Sequence, residues 1–282
     1  MYRIRFALFL TILMAASTVS AGTTASVCDR LTGEKKALAT KILSTTHLYR
    51  CCDETIQKCL EKKSPCALAS RLANRVCELV NKGESEEKIK KRLLKRAESM
   101  MPGQKIPDFN LSGLQPAGDP NAPVKVVVYA CSRCPFCSKI VPSLYKEITE
   151  GRLKGKVQLF FKAFPLKSHE FSKEGGLALI AAADLGKFWE FTTYMYSHFD
   201  LFCVDKLVEW AAIVGMDKEK FKQRMMAPET RKALVESKKE GLANGVTATP
   251  QLFIDGKKYT GFLDIDELVD IMLEVAEQKN ER

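Results

Sequence analysis

The residues of this chain best suited to chemistry are Cys134 and Cys137, which enclose Pro135 and Phe136 in a C-x-x-C motif. An apolar run precedes the motif and a helical pattern follows it, so Cys134 should stand at a helix N-terminus. There the free backbone N–H groups and the helix dipole stabilise an anion, which lowers the pKa of a thiol. Pro135 suits the first helical position, where its missing N–H costs nothing. The spacing therefore predicts a redox pair in which Cys134 attacks a disulfide and Cys137 resolves the mixed disulfide.

Cys131 extends this motif to C-x2-C-x2-C, a spacing that also begins some iron–sulfur sites. In those sites a fourth cysteine would fall at position 141, where the chain has Val141. We therefore predict neither a metal site nor a dissociable cofactor. Cys131 is left either to pair with Cys203 or to compete for Cys134 and act as a redox modulator, and the sequence does not decide between these. A purely structural disulfide is the alternative to a redox pair at the C-x-x-C motif.

The motif lies within an alternation of strand and helix patterns. The predicted elements are a strand at 124–130, a helix at about 134–150, a strand at 157–163, helices from about 167 to 243, a hairpin at 251–254 and 258–260, and a final helix capped at Asp264. A strand–helix–strand unit makes the first two strands parallel, whereas the hairpin adds an antiparallel pair. We therefore predict an α/β, thioredoxin-like fold with a helical insertion, preceded by a small cysteine-rich α-helical domain.

A second part of the predicted site is Thr249-Pro250, at the head of the hairpin. In a thioredoxin-like sheet this loop faces the C-x-x-C motif. We expect a cis peptide bond here, which leaves the preceding backbone free to pair with an extended client segment. Thr249, Pro250, Pro135 and Phe136 are therefore the predicted substrate-binding residues.

Five motifs of the sequence point to the same protein family. They are Gly118–Val124, Cys134–Cys137, Phe164-Pro165-Leu166 with His169, Gly186–Glu190 and Gly245–Pro250. Their order resembles that of the DsbA-like thiol:disulfide oxidoreductases over about residues 112–278. The resemblance implies a thioredoxin fold with a helical insert, Cys134 as nucleophile, Cys137 as resolving cysteine, and Thr249-Pro250 as the cis-proline loop.

Two departures from DsbA itself bear on the direction of the reaction. Phe136 stands where DsbA has histidine, and it offers neither a positive charge nor a hydrogen-bond donor to the thiolate. Thr249 precedes the proline, as in several isomerases and reductases of the family. Both residues favour an isomerase or reductase over a DsbA-type disulfide donor.

The N-terminal region contains six further cysteines. They are Cys28, Cys51, Cys52, Cys59, Cys66 and Cys77. In an oxidising compartment they should form up to three disulfides, although the sequence gives no connectivity. We predict a helical domain at 22–98 for association or client docking, a Pro- and Gly-rich linker at 99–117, and a DsbA-like domain at 118–282 with its insert at about 167–243.

Three N-terminal motifs resemble another family. Tyr49–Cys51, Ser64–Ala69 and Gly83–Glu87 are similar to the CcmH-type helical bundle of cytochrome c maturation over about 50 residues, which implies thiol delivery as a specialised role. That family's second motif cysteine would fall at 54, where this chain has Glu54. The adjoining basic segment 88–96 is interpreted as a solvated helix face, with an electrostatic docking surface as the alternative.

The first residues indicate export. Residues 1–21 combine a basic start, an apolar run from Phe6 to about Val19 and a small residue at Ala21, the pattern of a signal peptide cleaved near Ala21. The run is shorter than the ~20 residues of a membrane-spanning helix, and an uncleaved anchor is the alternative. With 46% hydrophobic and 28% charged residues the chain is globular, and its net charge of +10 does not indicate nucleic-acid binding in an exported protein.

The sequence therefore predicts a periplasmic thiol:disulfide oxidoreductase acting on cysteine-containing exported client proteins. A membrane partner of DsbB or DsbD type would reset its redox state, and the N-terminal domain could form a homo-oligomer. Three alternatives remain: a disulfide oxidase, a non-enzymatic chaperone or binding module with a vestigial C-x-x-C motif, and a metal-binding protein using the N-terminal cysteines.

Overall fold

The computed structural model describes residues 27–101 and 107–280 of the 282-residue chain. The predicted signal peptide at 1–21 lies outside these residues, as do positions 102–106 of the predicted linker. We call residues 27–101 the N-terminal unit and residues 107–280 the second unit.

The N-terminal unit is helical, as predicted. Its elements are a 3-10 turn at Val27–Arg30 and helices α1 (Gly33–Thr45), α2 (Ile56–Leu60), α3 (Ala67–Asn81) and α4 (Glu86–Met100). Helix α4 begins where an N-cap residue predicts it, because the Ser85 hydroxyl accepts a hydrogen bond from the Lys88 N–H (3.4 Å). Apolar side chains of all four helices, such as Ile42, Ile56 and Ile89, pack into one core.

The second unit alternates strands and helices. Its elements are β1 (Val124–Ala130), α5 (Pro135–Thr149), β2 (Val157–Ala163), α6 (Ser172–Asp184), α7 (Phe188–Ser197), a 3-10 turn (Phe199–Leu201), α8 (Lys206–Ile213), α9 (Lys218–Met226), α10 (Pro228–Ala243), β3 (Gln251–Ile254), β4 (Lys257–Lys258) and α11 (Ile265–Asn280). Helices α6 to α10 form the predicted insertion between the strand–helix–strand start and the terminal hairpin.

The four strands form one mixed sheet in the order β2–β1–β3–β4. Strand β1 pairs in parallel with β2, and β3 pairs antiparallel with β4, which confirms both predicted pairings. Strand β1 also pairs antiparallel with β3, which joins the hairpin to the first two strands. The hairpin turns at Asp255-Gly256, as expected. Strand β4 is shorter than predicted, because Thr260 turns its N–H away from the sheet to the Ser99 hydroxyl (3.1 Å).

Alternate residues of β1 face two different cores, as the two-residue period of a strand requires. Val126 and Val128 belong to the large core that also contains residues of α5 and α11. Val127 and Tyr129 point to the other face, where Phe109 packs with neighbouring residues 111 and 114. Part of the predicted linker at 99–117 therefore covers one face of the sheet.

The two units meet along α11 through charged side chains. The Arg96 guanidinium is 1% exposed and donates to Asp270 (2.5 Å) and Glu274 (2.9 Å), and Arg92 donates to Glu267 (3.2 Å). The interpretation of segment 88–96 as a solvated face is therefore wrong for these two arginines. They are buried because α11 supplies carboxylates 174 to 178 residues later in the chain.

Helix α3 extends the same contact. Arg71 donates to Asp270 (2.8 Å) and Arg75 to Asp264 (2.7 Å). Burial acts to raise the pKa of Asp270, but the Arg96 and Arg71 guanidiniums overcome it and hold that pKa below its usual value. The four arginines thus form a continuous ionic contact between the units with the carboxylates of α11 and of Asp264, the residue before it.

Candidate active site

The C-x-x-C motif lies where β1 ends and α5 begins. Cys134 is the N-cap residue of α5, with φ −93° and ψ 122°, and Pro135 is the first helical residue. Cys137 lies within the first turn and is fully buried, whereas Cys134 is 2% exposed. Both cysteines are free thiols. The fold thus places Cys134 at the mouth of the site and Cys137 behind it.

The surroundings of the two thiols shift their pKa values in opposite directions. A hydrogen bond from the Cys137 side chain lowers the pKa of Cys134 to about 5, helped by the backbone N–H groups of Cys137 and Phe136 and opposed by burial. Burial raises the pKa of Cys137 well above its usual value, and the neighbouring Cys134 raises it further. At neutral pH Cys134 is therefore a thiolate and Cys137 a protonated thiol, the arrangement that an attacking and a resolving cysteine need.

The Thr249-Pro250 loop faces this pair. The peptide bond between the two residues is cis, as predicted. The Cys134 Sγ atom lies 3.3 Å from the backbone carbonyl oxygen of Thr249, and both loop residues are buried. Because β3 pairs directly with β1, the sheet brings this loop to the helix N-terminus across 115 residues of sequence.

The other two predicted substrate-binding residues border the site on the solvent side. Pro135 is exposed, and the Phe136 side chain is 64% exposed. An aromatic ring left in water beside a reactive thiol can contact an apolar client side chain. The structure thus brings Pro135, Phe136, Thr249 and Pro250 around Cys134.

Sequence reasoning missed Arg133, which ties the motif to the helical insertion. Its guanidinium lies over the rings of Phe199 (4.7 Å) and Phe202 (4.6 Å) and donates to the Phe199 carbonyl oxygen (2.9 Å). The same loop is held by Ser132, whose hydroxyl donates to the Ser172 carbonyl oxygen (3.2 Å). The one available signal was a basic residue directly before Cys134.

Cys131 is buried, free and close to a histidine. Its Sγ atom lies 3.4 Å from Nδ1 of His169, in the loop between β2 and α6. Cys203 is also a free thiol, so the alternative in which these two cysteines pair is not what the structure shows. Within residues 27–101 and 107–280, no group of three or more His, Cys, Asp or Glu side chains is arranged to hold a metal ion.

The six N-terminal cysteines are all paired. The disulfides are Cys28–Cys77, Cys51–Cys66 and Cys52–Cys59. This is the full set of three bridges that the cysteine count allows. The unit therefore offers no free cysteine for the thiol delivery that the resemblance to the CcmH-type bundle implies.

Among residues 27–101 and 107–280, every helix is too short or too polar to span a membrane.

Curated proteins match this chain over about half of its length. The Na(+)/H(+) antiporter NhaA 1 of Mycolicibacterium gilvum (strain PYR-GCK) is 28% identical over 155 residues, which cover 54% of this chain and 25% of the antiporter. The chain thus spans about a quarter of the length of the curated relatives it matches.

Solved structures share the fold of the second unit. The thiol-disulfide exchange protein alpha-DsbA2 of Wolbachia pipientis is 21% identical with a TM-score of 0.52, covering 58% of this chain and 88% of that one. BdbD of Bacillus subtilis is 20% identical with a TM-score of 0.51, covering 61% and 97%. A family model described as thioredoxin matches residues 115–273, more than half of the chain. The chain therefore belongs to the thioredoxin family, and its second unit has the fold of the DsbA-like thiol:disulfide oxidoreductases.

Proposed function

We propose that this protein is an exported thiol:disulfide oxidoreductase that reduces or isomerises disulfides in other exported proteins through Cys134 and Cys137. The observation that carries the proposal is the position of the Cys134 thiol. It stands at the N-terminus of α5, 3.3 Å from the Thr249 carbonyl oxygen, with the Cys137 thiol buried behind it. A client disulfide attacked by Cys134 would form a mixed disulfide, which Cys137 would resolve without any dissociable cofactor.

The electrostatics of Cys134 support the preference for isomerase or reductase chemistry. Its pKa of about 5 lies between the value of about 7 for thioredoxin and about 3.5 for DsbA. A less stabilised thiolate makes the corresponding disulfide a weaker oxidant. The Phe136 side chain is consistent with this, because it is exposed to solvent and has no hydrogen-bond donor to offer the thiolate.

One observation favours the alternative of a disulfide oxidase. A pKa of about 5 is still well below that of an ordinary thiol, about 8.5, so the reduced form is stabilised at neutral pH. The equilibrium reduction potential of the Cys134–Cys137 pair against glutathione buffers decides between the two. A potential of about −180 mV or lower supports the isomerase or reductase, and a potential near about −120 mV supports the oxidase.

We further propose a periplasmic location and a membrane redox partner of DsbB or DsbD type. The N-terminal helical domain at 22–98, the linker at 99–117 and the DsbA-like domain at 118–282 remain our proposed division of the chain. A homo-oligomer through the N-terminal domain is tested by sedimentation of the mature chain. A Cys134→Ser variant that kept full cellular function would instead support a chaperone or binding module.

A further inference from the structure

Cys131 does not have the surroundings of an inert core cysteine. It is 1% exposed, yet its thiol contacts Nδ1 of His169 at 3.4 Å rather than apolar groups alone. His169 is itself partly exposed, so it connects the buried thiol with solvent. A cysteine thiol paired with a histidine nitrogen is the arrangement by which many proteins remove the thiol proton.

A backbone turn keeps Cys131 close to Cys134. The Cys134 N–H donates to the Cys131 carbonyl oxygen (3.1 Å), and this is the hydrogen bond that closes a four-residue turn. Such a turn keeps its end Cα atoms within about 7 Å, and disulfides join Cα atoms that are about 4.4–6.8 Å apart. The buried Tyr196 hydroxyl also donates to the Cys131 carbonyl oxygen (3.1 Å), which holds the turn in place.

A second basic group acts on the same thiol. The Lys238 ammonium donates to the Pro165 carbonyl oxygen (2.9 Å), and its charge favours the Cys131 thiolate. Burial nevertheless raises the pKa of Cys131 above its usual value, so the thiol is protonated at neutral pH. Attack by Cys131 therefore requires a proton acceptor, and the contact with His169 supplies one.

We propose that Cys131 is a second resolving cysteine, which competes with Cys137 for the mixed disulfide at Cys134 and uses His169 as its proton acceptor. This inference rests on the proposed thiol:disulfide exchange at Cys134. It assigns a catalytic part to Cys131, which precedes Cys134 in the sequence, and to His169, which lies in the loop between β2 and α6.

The exchange balances without any additional oxidant. In the mixed disulfide, the Cys131 sulfur attacks the Cys134 sulfur, the bond to the client sulfur breaks, and a Cys131–Cys134 disulfide forms. The thiol proton passes to His169 and from there to the client thiolate. The client cysteine leaves reduced, and the enzyme keeps both oxidising equivalents.

Cys137 can then complete the cycle. Its thiol attacks Cys134, which forms the Cys134–Cys137 disulfide and frees Cys131, and the Cys137 proton passes to the Cys131 thiolate. The route through Cys131 thus offers a second way to release a client held on Cys134.

The test uses the mature full-length chain in a Cys203→Ser background, so that no other free thiol competes. A Cys137→Ala variant is reacted, after mild reduction and removal of the reductant, with 5,5′-dithiobis(2-nitrobenzoate). Cys134 should release one aromatic thiolate on attack, and Cys131 should release a second on resolution. A variant that also carries Cys131→Ala should release one only and keep the mixed disulfide.

Two further readouts identify the residues. Trypsin cleaves after Arg133 and so separates the Cys131 peptide from the Cys134 peptide, and mass spectrometry should find them joined by a disulfide in the Cys137→Ala variant. Added His169→Gln should slow the second release about a hundredfold and leave the first release unchanged. A purely structural role of His169 would alter both phases together.

The outcomes separate this inference from the proposed function. A single release and a stable mixed disulfide in the Cys137→Ala variant would overturn the role of Cys131. Release of one equivalent from a variant that carries Cys134→Ser with Cys137→Ala would also overturn it, because Cys131, the one free thiol left, would then react directly with the reagent. If the chain with Cys131, Cys134 and Cys137 intact fails to release two equivalents, the proposed function itself fails.

Discussion

The two units of this molecule use the same residue type in opposite ways. In the N-terminal unit all six cysteines are closed into disulfides, whereas the four cysteines of the second unit are free thiols. Burial does not distinguish the two sets, because Cys77 and Cys137 are both fully buried. The difference lies in what surrounds each sulfur. Cys134 lies at the N-terminus of α5 opposite the Thr249 carbonyl oxygen and Cys131 contacts His169, whereas each closed sulfur has a second cysteine sulfur as its neighbour.

The N-terminal unit needs its bridges for a physical reason. A unit of fewer than about 80 residues buries too little apolar surface to be stable through its core alone, and small exported domains commonly add disulfides. The bridge between Cys28 and Cys77 closes the longest loop, with a sequence separation of 49 residues. Disulfides in one unit thus stabilise structure, while the cysteines of the other unit are free thiols.

The largest expected effect comes from removing the attacking thiol. Cys134→Ser should lower the rate of disulfide exchange with a protein substrate by about a thousandfold or more, because no other thiol stands at the N-cap of α5 with a lowered pKa. The measurement is the rate of insulin reduction in the presence of a dithiol, with Cys203→Ser as the matched control. Loss of less than tenfold would mean that the comparison between reactive and structural cysteines is mistaken.

The second-largest expected effect comes from removing a buried charge at the contact between the units. Arg96→Met removes one ion-pair partner from each of Asp270 and Glu274 and leaves excess negative charge in a buried position, which should lower the free energy of unfolding by about 3–5 kcal/mol. The neighbouring Lys95→Met is the control. Lys95 pairs with Glu98 at the exposed surface, and its loss should cost less than about 1 kcal/mol. Equal effects in chemical denaturation would contradict a buried ionic contact.

Removing one disulfide should have a slightly smaller effect on the free energy of unfolding. Replacing Cys28 and Cys77 together by serine should lower the free energy of unfolding by about 2–4 kcal/mol, since the unfolded chain regains the freedom of the closed loop. The reduction potential of the Cys134–Cys137 pair should change little. A large change in that potential would show that the bridges of the first unit control the thiols of the second.

The smallest expected effect is a weak dependence of reactivity on pH. Because the pKa of Cys134 is lowered to about 5, its thiolate persists at pH 7 and is lost as the pH falls through 5. Lowering the pH from 7 to 4 should slow alkylation of Cys134 by iodoacetamide about tenfold, whereas an ordinary thiol with a pKa of about 8.5 would slow about a thousandfold. The thousandfold result would remove the electrostatic basis for attack by Cys134.

Local patterns in the sequence predicted much of the second unit. The apolar runs at 124–130 and 157–163 are the strands β1 and β2, the Asp255-Gly256 turn is the hairpin, and Thr249-Pro250 is cis. Each of these depends on residues that are adjacent in the chain. The C-x-x-C motif was visible for the same reason, since a strand end, a helix start and two cysteines fall within a few residues.

Contacts between distant segments were not predictable. Arg92 and Arg96 lie in a segment whose pattern is typical of a solvated helix face, and they are buried because α11 packs against them. His169 approaches Cys131 from 38 residues away, through a loop whose position depends on the helical insertion. The pairing of six N-terminal cysteines likewise depends on how four helices pack, which no local pattern encodes.

The ionic contact along α11 has a consequence for how the protein can be divided. Asp264, Glu267, Asp270 and Glu274 obtain their countercharges from arginines of the N-terminal unit. A fragment that begins after residue 106 would carry an uncompensated acidic stripe along its last helix. Its isoelectric point, its solubility and its encounter rate with charged clients would then differ from those of the intact protein. Rates measured on such a fragment would therefore describe a protein with a different surface charge from that of the intact chain.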